Sequence, residues 1–166
     1  MSAPPNVRPL LEALPAPQRQ RLEIMGWPHQ GLSDPDRLLR RAVGAPEAVS
    51  LVDLELDPER WHGHYVATSG TVGWSKETTC LGRVWLNPSL ALHAARTGLA
   101  RYPPVFQARI QGVLLADAAV RAAHRARAHS PGGYGHFGLF IAELIATSIE
   151  IEVPPPSARS AGRRPR

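Results

Sequence analysis

Three stretches of this chain place aromatic, arginine and amide side chains at every second position, a spacing that can assemble a binding surface. They are HYVATSGTVGW (64–74), CLGRVWL (80–86) and VFQARIQGVLL (105–115). Alternation with period two sends successive side chains to opposite faces of a strand. One face collects Val66, Thr68, Gly70 and Val72 from the first stretch, and Phe106, Ala108, Ile110 and Leu114 from the third. The opposite face then presents Tyr65, Ser69, Thr71, Arg83, Trp85, Gln107, Arg109 and Gln111. Aromatics can stack, arginines can hold phosphate or planar groups, and glutamines can read hydrogen-bonding edges. Trp74, Ser75 and Lys76 fall in a loop able to close one end of such a face. Arg121, His124 and Arg125, at i, i+3 and i+4, would add a basic stripe if their segment is helical.

Other chemistry-bearing patterns are weaker. GYGHFG (133–138) satisfies G-x-G-x-x-G, but it follows a helical segment and precedes strand-like residues. A dinucleotide fingerprint needs the reverse order, so the stretch reads as a turn. His62, His64 and His136 could be brought together, yet zinc asks for three or four ligands and no second close pair of ligands is present. Cys80 stands alone, excluding an internal disulfide, and its strand context favours a small buried hydrophobe. No catalytic residue, metal or cofactor is expected from these patterns.

The elements that must position the surface follow from turn and cap residues. Residues 1–60 read as short helices: one from Pro17 to Met25 ended by Gly26, one opened by Ser33 and Asp36 and closed by Gly44. A third short turn falls within 46–56, before Pro58. From Trp61 strands dominate, with Gly70 suggesting a bulge or sharp coil in the first. Asn87–Pro88 open a helix that ends at Gly98, and Ala-rich 116–129 forms another. HFGLF (136–140) reads as a short strand, and 143–152 as the last, with Ile145, Thr147, Ile149 and Ile151 facing inward. Three strands, a helix and two strands is the order of an oligonucleotide/oligosaccharide-binding (OB) barrel, with the helix at 87–98 as an insertion. The expected class is therefore mainly β with helices (α+β), an OB-like five-stranded barrel with an N-terminal helical segment. Its expected divisions are 1–60, short helices packing on the barrel; 61–153, the barrel with inserted helices; and 154–166, a disordered arginine-containing tail.

SLVDLELDPERWHGHYVATSGTV (50–72) resembles the opening of a largely uncharacterised family of small bacterial OB-like proteins. There a short helix, a D/N-P-E-x-aromatic-x-G turn and a V-x-V-x-G strand follow in order. GYGHFGLFIAELIATSIEI (133–151) resembles the same family's G-H-x-G segment and final strand. The resemblance implies a fold of nucleic-acid-binding type and carries no activity. Here V-x-V is weakened to Val66-Ala67-Thr68, and residues 1–45 have no counterpart in it.

Charge decides between ligand classes. The net charge is +5, but Arg159, Arg163, Arg164 and Arg166 of the last 14 residues supply +4 of it. A nearly neutral body offers phosphate little counterion-release affinity. The expected function is thus a non-catalytic binding or adaptor protein, with the OB-like unit as scaffold. Its partner, a protein, would meet the N-terminal helices or an exposed barrel face. Single-stranded nucleic acid bound through Arg83, Trp85 and Arg109 is the alternative, and a metal-dependent enzyme built on the three histidines ranks last. MSAPPNVRPL lacks a secretory pattern and no run approaches a membrane span, so a cytoplasmic protein without membrane contact is expected.

Overall fold

The helical signals of the first 60 residues fold into α1 (Arg8–Ala13), α2 (Ala16–Ile24), α3 (Pro35–Val43), a two-residue strand β1 (Glu47–Ala48) and α4 (Leu51–Leu56). There follow β2 (Tyr65–Trp74), β3 (Thr79–Leu81), β4 (Val84–Asn87), α5 (Ser89–Ala94), β5 (Val105–Leu115), α6 (Ala118–Ala128) and β6 (Ala142–Ile151). The structure is a computed structural model that describes residues 7–27, 34–128 and 132–152. The expected tail at 154–166 and the capping role of Ser33 lie outside the described residues. α3 is capped instead by Asp34, whose carboxylate accepts from the Arg37 N–H at 3.0 Å, and Gly44 closes it as expected.

Five strands close on themselves in the order β2–β3–β4–β6–β5–β2, antiparallel except for the parallel pair β4–β6. This is a closed, mixed five-stranded barrel with helices, compatible with an OB-like barrel. β1 lies parallel to the first half of β2, pairing Glu47 with Val66 and Ala48 with Ala67. The second half of β2 pairs with β3.

The strand count of five arises from a different partition than the sequence suggests. CLGRVWL is not one strand: a turn at Gly82–Arg83 splits it into β3 and β4, whose Leu81 and Val84 pair across the hairpin. HFGLF is not a strand either; His136–Gly138 is a 3₁₀ turn. With that correction, α5 becomes the helix between the third and fourth barrel strands, and α6 becomes the insertion. Gly70 is not a bulge, because the β2–β5 register runs unbroken from Tyr65 to Gly73. Its missing Cβ instead makes room for Leu81 and Leu51, whose methyls would lie 2.9 and 3.0 Å from one. The bulge sits in β6 at Thr147, since Gln111 faces Ser148 while Gly112 faces Ala146.

Two cores result. Val66, Val72, Leu81, Val84, Leu86, Ile110, Leu114 and Leu144 fill the barrel. A second core joins Leu10, Leu22, Trp27 and Leu39 of the N-terminal segment to Tyr65, Leu90, Val113 and Ile145. Leu10, Leu22 and Leu39 are wholly buried, each worth about 1.5–3 kcal/mol of transfer free energy. β2, β5 and β6 are therefore buried on both faces where the helices lie. That is why Ile145 and Thr147 do not face the barrel interior: Leu144 and Ala146 do, and only beyond the bulge does Ile149 pack against the barrel core.

Candidate functional site

The N-terminal helices take the first part of the expected platform. Tyr65 is only 7% exposed. Its hydroxyl donates to Asp36 Oδ1 on α3 and lies 3.4 Å from Gln111 Oε1. Thr147, freed from the ladder by the bulge, donates to the same Asp36 oxygen at 3.0 Å. Arg40 donates from Nε to Asp36 Oδ2 at 2.9 Å and from Nη2 to Gln111 Oε1 at 2.5 Å. This cluster fastens α3 to the barrel, so Tyr65 and Gln111 are not available to a ligand. Burial, reinforced by the Asp36 carboxylate, pushes the Tyr65 phenol well above its ordinary range.

A second element covers Trp85. The 133–140 loop is closed by an antiparallel bridge between Tyr134 and Phe140, and the Phe140 ring meets the Trp85 ring edge-on at 5.2 Å. The Gly135 backbone lies so close to the indole that a Cβ there would collide with it. Tyr134, buried beneath the loop, accepts from the Asp117 N–H at 2.6 Å, and burial lifts its phenol to about 12. Trp85 is thus a packing residue rather than a stacking platform.

The remaining candidates are dispersed. Arg121 is paired with Glu59, and Trp74 donates its indole N–H to the Pro103 carbonyl at 2.8 Å. Arg83 is exposed, its backbone N–H held by Glu55 Oε1 at 2.7 Å. Lys76 and Arg125 are exposed on separate elements, the β2–β3 turn and α6. Gln107 and Arg109 are exposed on β5, with Gln107 donating to Thr71 Oγ1 at 2.5 Å. Arg109 stands opposite Glu150 in the ladder. The surviving strand face is thus small, mixed in charge and without an aromatic.

The three histidines diverge. His62 Nδ1 accepts from the Ala116 N–H at 3.0 Å, His64 lies 3.5 Å from Glu47, and His136 lies 3.7 Å from Glu77. Among the described residues no three His, Cys, Asp or Glu converge in a metal-binding cluster. Cys80 is half-buried, not a core residue, because Thr79 and Leu81 beside it take the inward positions.

What sequence reasoning missed is the tip of the loop over Trp85. Phe137 is 77% exposed and Leu139 61% exposed. Phe137 holds φ +54°, between Gly135 at +66° and Gly138 at +64°. A non-glycine residue there carries local strain. The loop rests on α6: Gly133 lies beside Val120 and Arg121, and a Cβ on Gly138 would strike the His124 ring. Val120, also exposed, extends the apolar surface, while Arg125 and Arg127 stand exposed further along the helix. Two exposed hydrophobic side chains on a loop resting against α6 can anchor a complementary surface. The spacing of Gly133, Gly135 and Gly138 was the available signal for a turn. No protein-family model, no curated protein and no solved structure matches this chain.

Proposed function

We propose that this is a non-catalytic, cytoplasmic binding protein, an OB-like barrel of the small bacterial family that residues 50–72 and 133–151 resemble, which contacts a protein partner through Phe137 and Leu139. The observation that carries the reading is the exposure of Phe137 on a bridge-closed loop at a strained backbone angle. Large side chains held out in solvent at a local cost mark surfaces that are used. The matching partner offers an apolar pocket rimmed by acidic groups, facing Arg125 and Arg127. Nucleic acid is disfavoured because Tyr65 and Trp85 are covered and the open face of β5 is flanked by Glu150 and Glu152. No helix is long and apolar enough to cross a membrane among the described residues.

The test replaces Phe137 by glycine, which accepts φ +54° more readily and so should not unfold the loop. A partner is captured with the wild-type chain, purified and titrated against both proteins. Losing one buried Phe of about 1.5–3 kcal/mol should weaken the complex roughly tenfold to a hundredfold. Undiminished affinity in F137G would dismiss this surface. Tight, salt-dependent binding of a single-stranded oligonucleotide would restore the nucleic-acid reading.

A further inference from the structure

A cationic groove lies where α5 gives way to β5. It encloses about 690 Å³ and is walled by Leu92, Ala94, His93, Arg96, Thr97 and Arg101, with Gly98 between. That volume is within the range of small-molecule pockets, roughly 300–1,000 Å³. No carboxylate lines it, and the sequence from Thr78 to Ala116 contains no Asp or Glu at all. Among the described residues neither the Arg96 nor the Arg101 guanidinium has a side-chain partner. Both are exposed, as is His93. Two unopposed guanidiniums on consecutive pieces of chain, Arg96 on the reversal after α5 and Arg101 on the 3₁₀ turn Leu99–Arg101, form a local anion attractor.

The backbone marks the same place. α5 ends in a reversal in which the Arg96 N–H reaches the His93 carbonyl at 3.1 Å and the Thr97 N–H reaches the Leu92 carbonyl at 3.0 Å. That pattern requires a left-handed residue, for which glycine is preferred, yet Arg96 occupies it at φ +52°. Beside it the Thr97 hydroxyl is buried without a hydrogen-bond partner among the described residues. A helix terminus alone would gain more from glycine here than from the attraction of an arginine to its last carbonyls. Two local costs at one cationic turn point to use of the arginine side chain.

We propose that this groove binds a small phosphorylated metabolite, its phosphate held between Arg96 and Arg101 with His93 at the rim. Guanidinium groups match phosphate oxygens with paired, charge-assisted hydrogen bonds. Leu92 and Ala94 give the organic part an apolar wall. The site is separate in sequence and composition from the Phe137 surface, and neither reading depends on the other.

The experiment is calorimetric titration of the full chain with inorganic phosphate, pyrophosphate and a nucleoside monophosphate, in wild-type, Arg96→Gly, Arg101→Gln and Phe137→Gly proteins. Thermal melts are recorded without ligand. The proposal predicts saturable binding to the wild type, tightest for the organic phosphate. It predicts affinity reduced about tenfold or more in R96G and in R101Q, and unchanged in F137G. It also predicts that unliganded R96G melts no lower than the wild type, so its lost binding cannot be ascribed to unfolding. Absence of saturable binding to all three ligands overturns the proposal, as does affinity retained in R96G combined with R101Q. Tighter binding of a single-stranded oligonucleotide than of the monophosphate overturns the small-ligand assignment.

Discussion

Removing the Tyr65 hydroxyl tests whether the N-terminal helices are fastened to the barrel by the cluster around Asp36. In Tyr65→Phe the ring still fills its buried place, but Asp36 Oδ1 keeps only the Thr147 donor at 3.0 Å. A hydrogen bond to a charged acceptor is worth about 1.5–3 kcal/mol. The lower end applies, because Arg40 continues to satisfy Oδ2 and both carboxylate and guanidinium remain partly exposed. At about 2–4 °C per kcal/mol for a chain of this size, the melting temperature should fall roughly 3–6 °C at neutral pH. The pH dependence supplies a second readout. Burial raises the Tyr65 pKa in the folded state, so its contribution is complete below the unfolded value of about 10 and is lost as pH rises toward the folded value. Wild-type stability should therefore decline above about pH 10, and Y65F should decline less steeply. Some alkaline slope remains in the variant, because Tyr134 is also raised, to about 12. Circular-dichroism melts across that range are the assay. A variant as stable as the wild type at neutral pH, with an identical alkaline slope, would refute the reasoning.

Two further outcomes follow from burial. Leu39→Ala deletes a wholly buried α3 side chain and should cost about 2–5 kcal/mol in urea denaturation, with Tyr65 fluorescence reporting release of the helix. Glu143 is pushed up by desolvation, with the Asn87 amide donating to Oε1 at 2.9 Å only partly offsetting it. Its contribution is full below the unfolded value of about 4.3 and is lost as pH rises through the raised folded value. Glu143→Gln keeps the acceptor without the charge, so its stability should gain on the wild type at neutral pH and not in acid; equal differences at both would contradict the assignment.

Local patterns carried the barrel strands whose two faces differ in environment. Phe106, Ala108 and Ile110 alternate with exposed Gln107 and Arg109, and the sequence shows it directly. The pattern misled where a distant element covers the outer face. Tyr65 and Val113 look outward by alternation but are buried, because α1–α3 close over them from far earlier in the chain. Nothing within a ten-residue window announces such a cover. The Thr147 bulge inverted the reading of the last strand, since one extra residue exchanges its faces. The β3–β4 hairpin was hidden by its brevity, three residues and four. At Phe137 the apolar run HFGLF outweighs the glycines around it, so an exposed turn residue reads as part of a strand.

Site-specific photo-crosslinking tests the partner surface most directly. Phe137 is replaced by p-benzoylphenylalanine in cells that make the protein, with the same substitution at exposed Lys76 as control. The expected result is one discrete protein adduct from position 137, abolished when Leu139 is changed to Ser in the same chain, and none from position 76. Adducts to nucleic acid, or equal labelling at both positions, would contradict the claim that Phe137 anchors a protein partner.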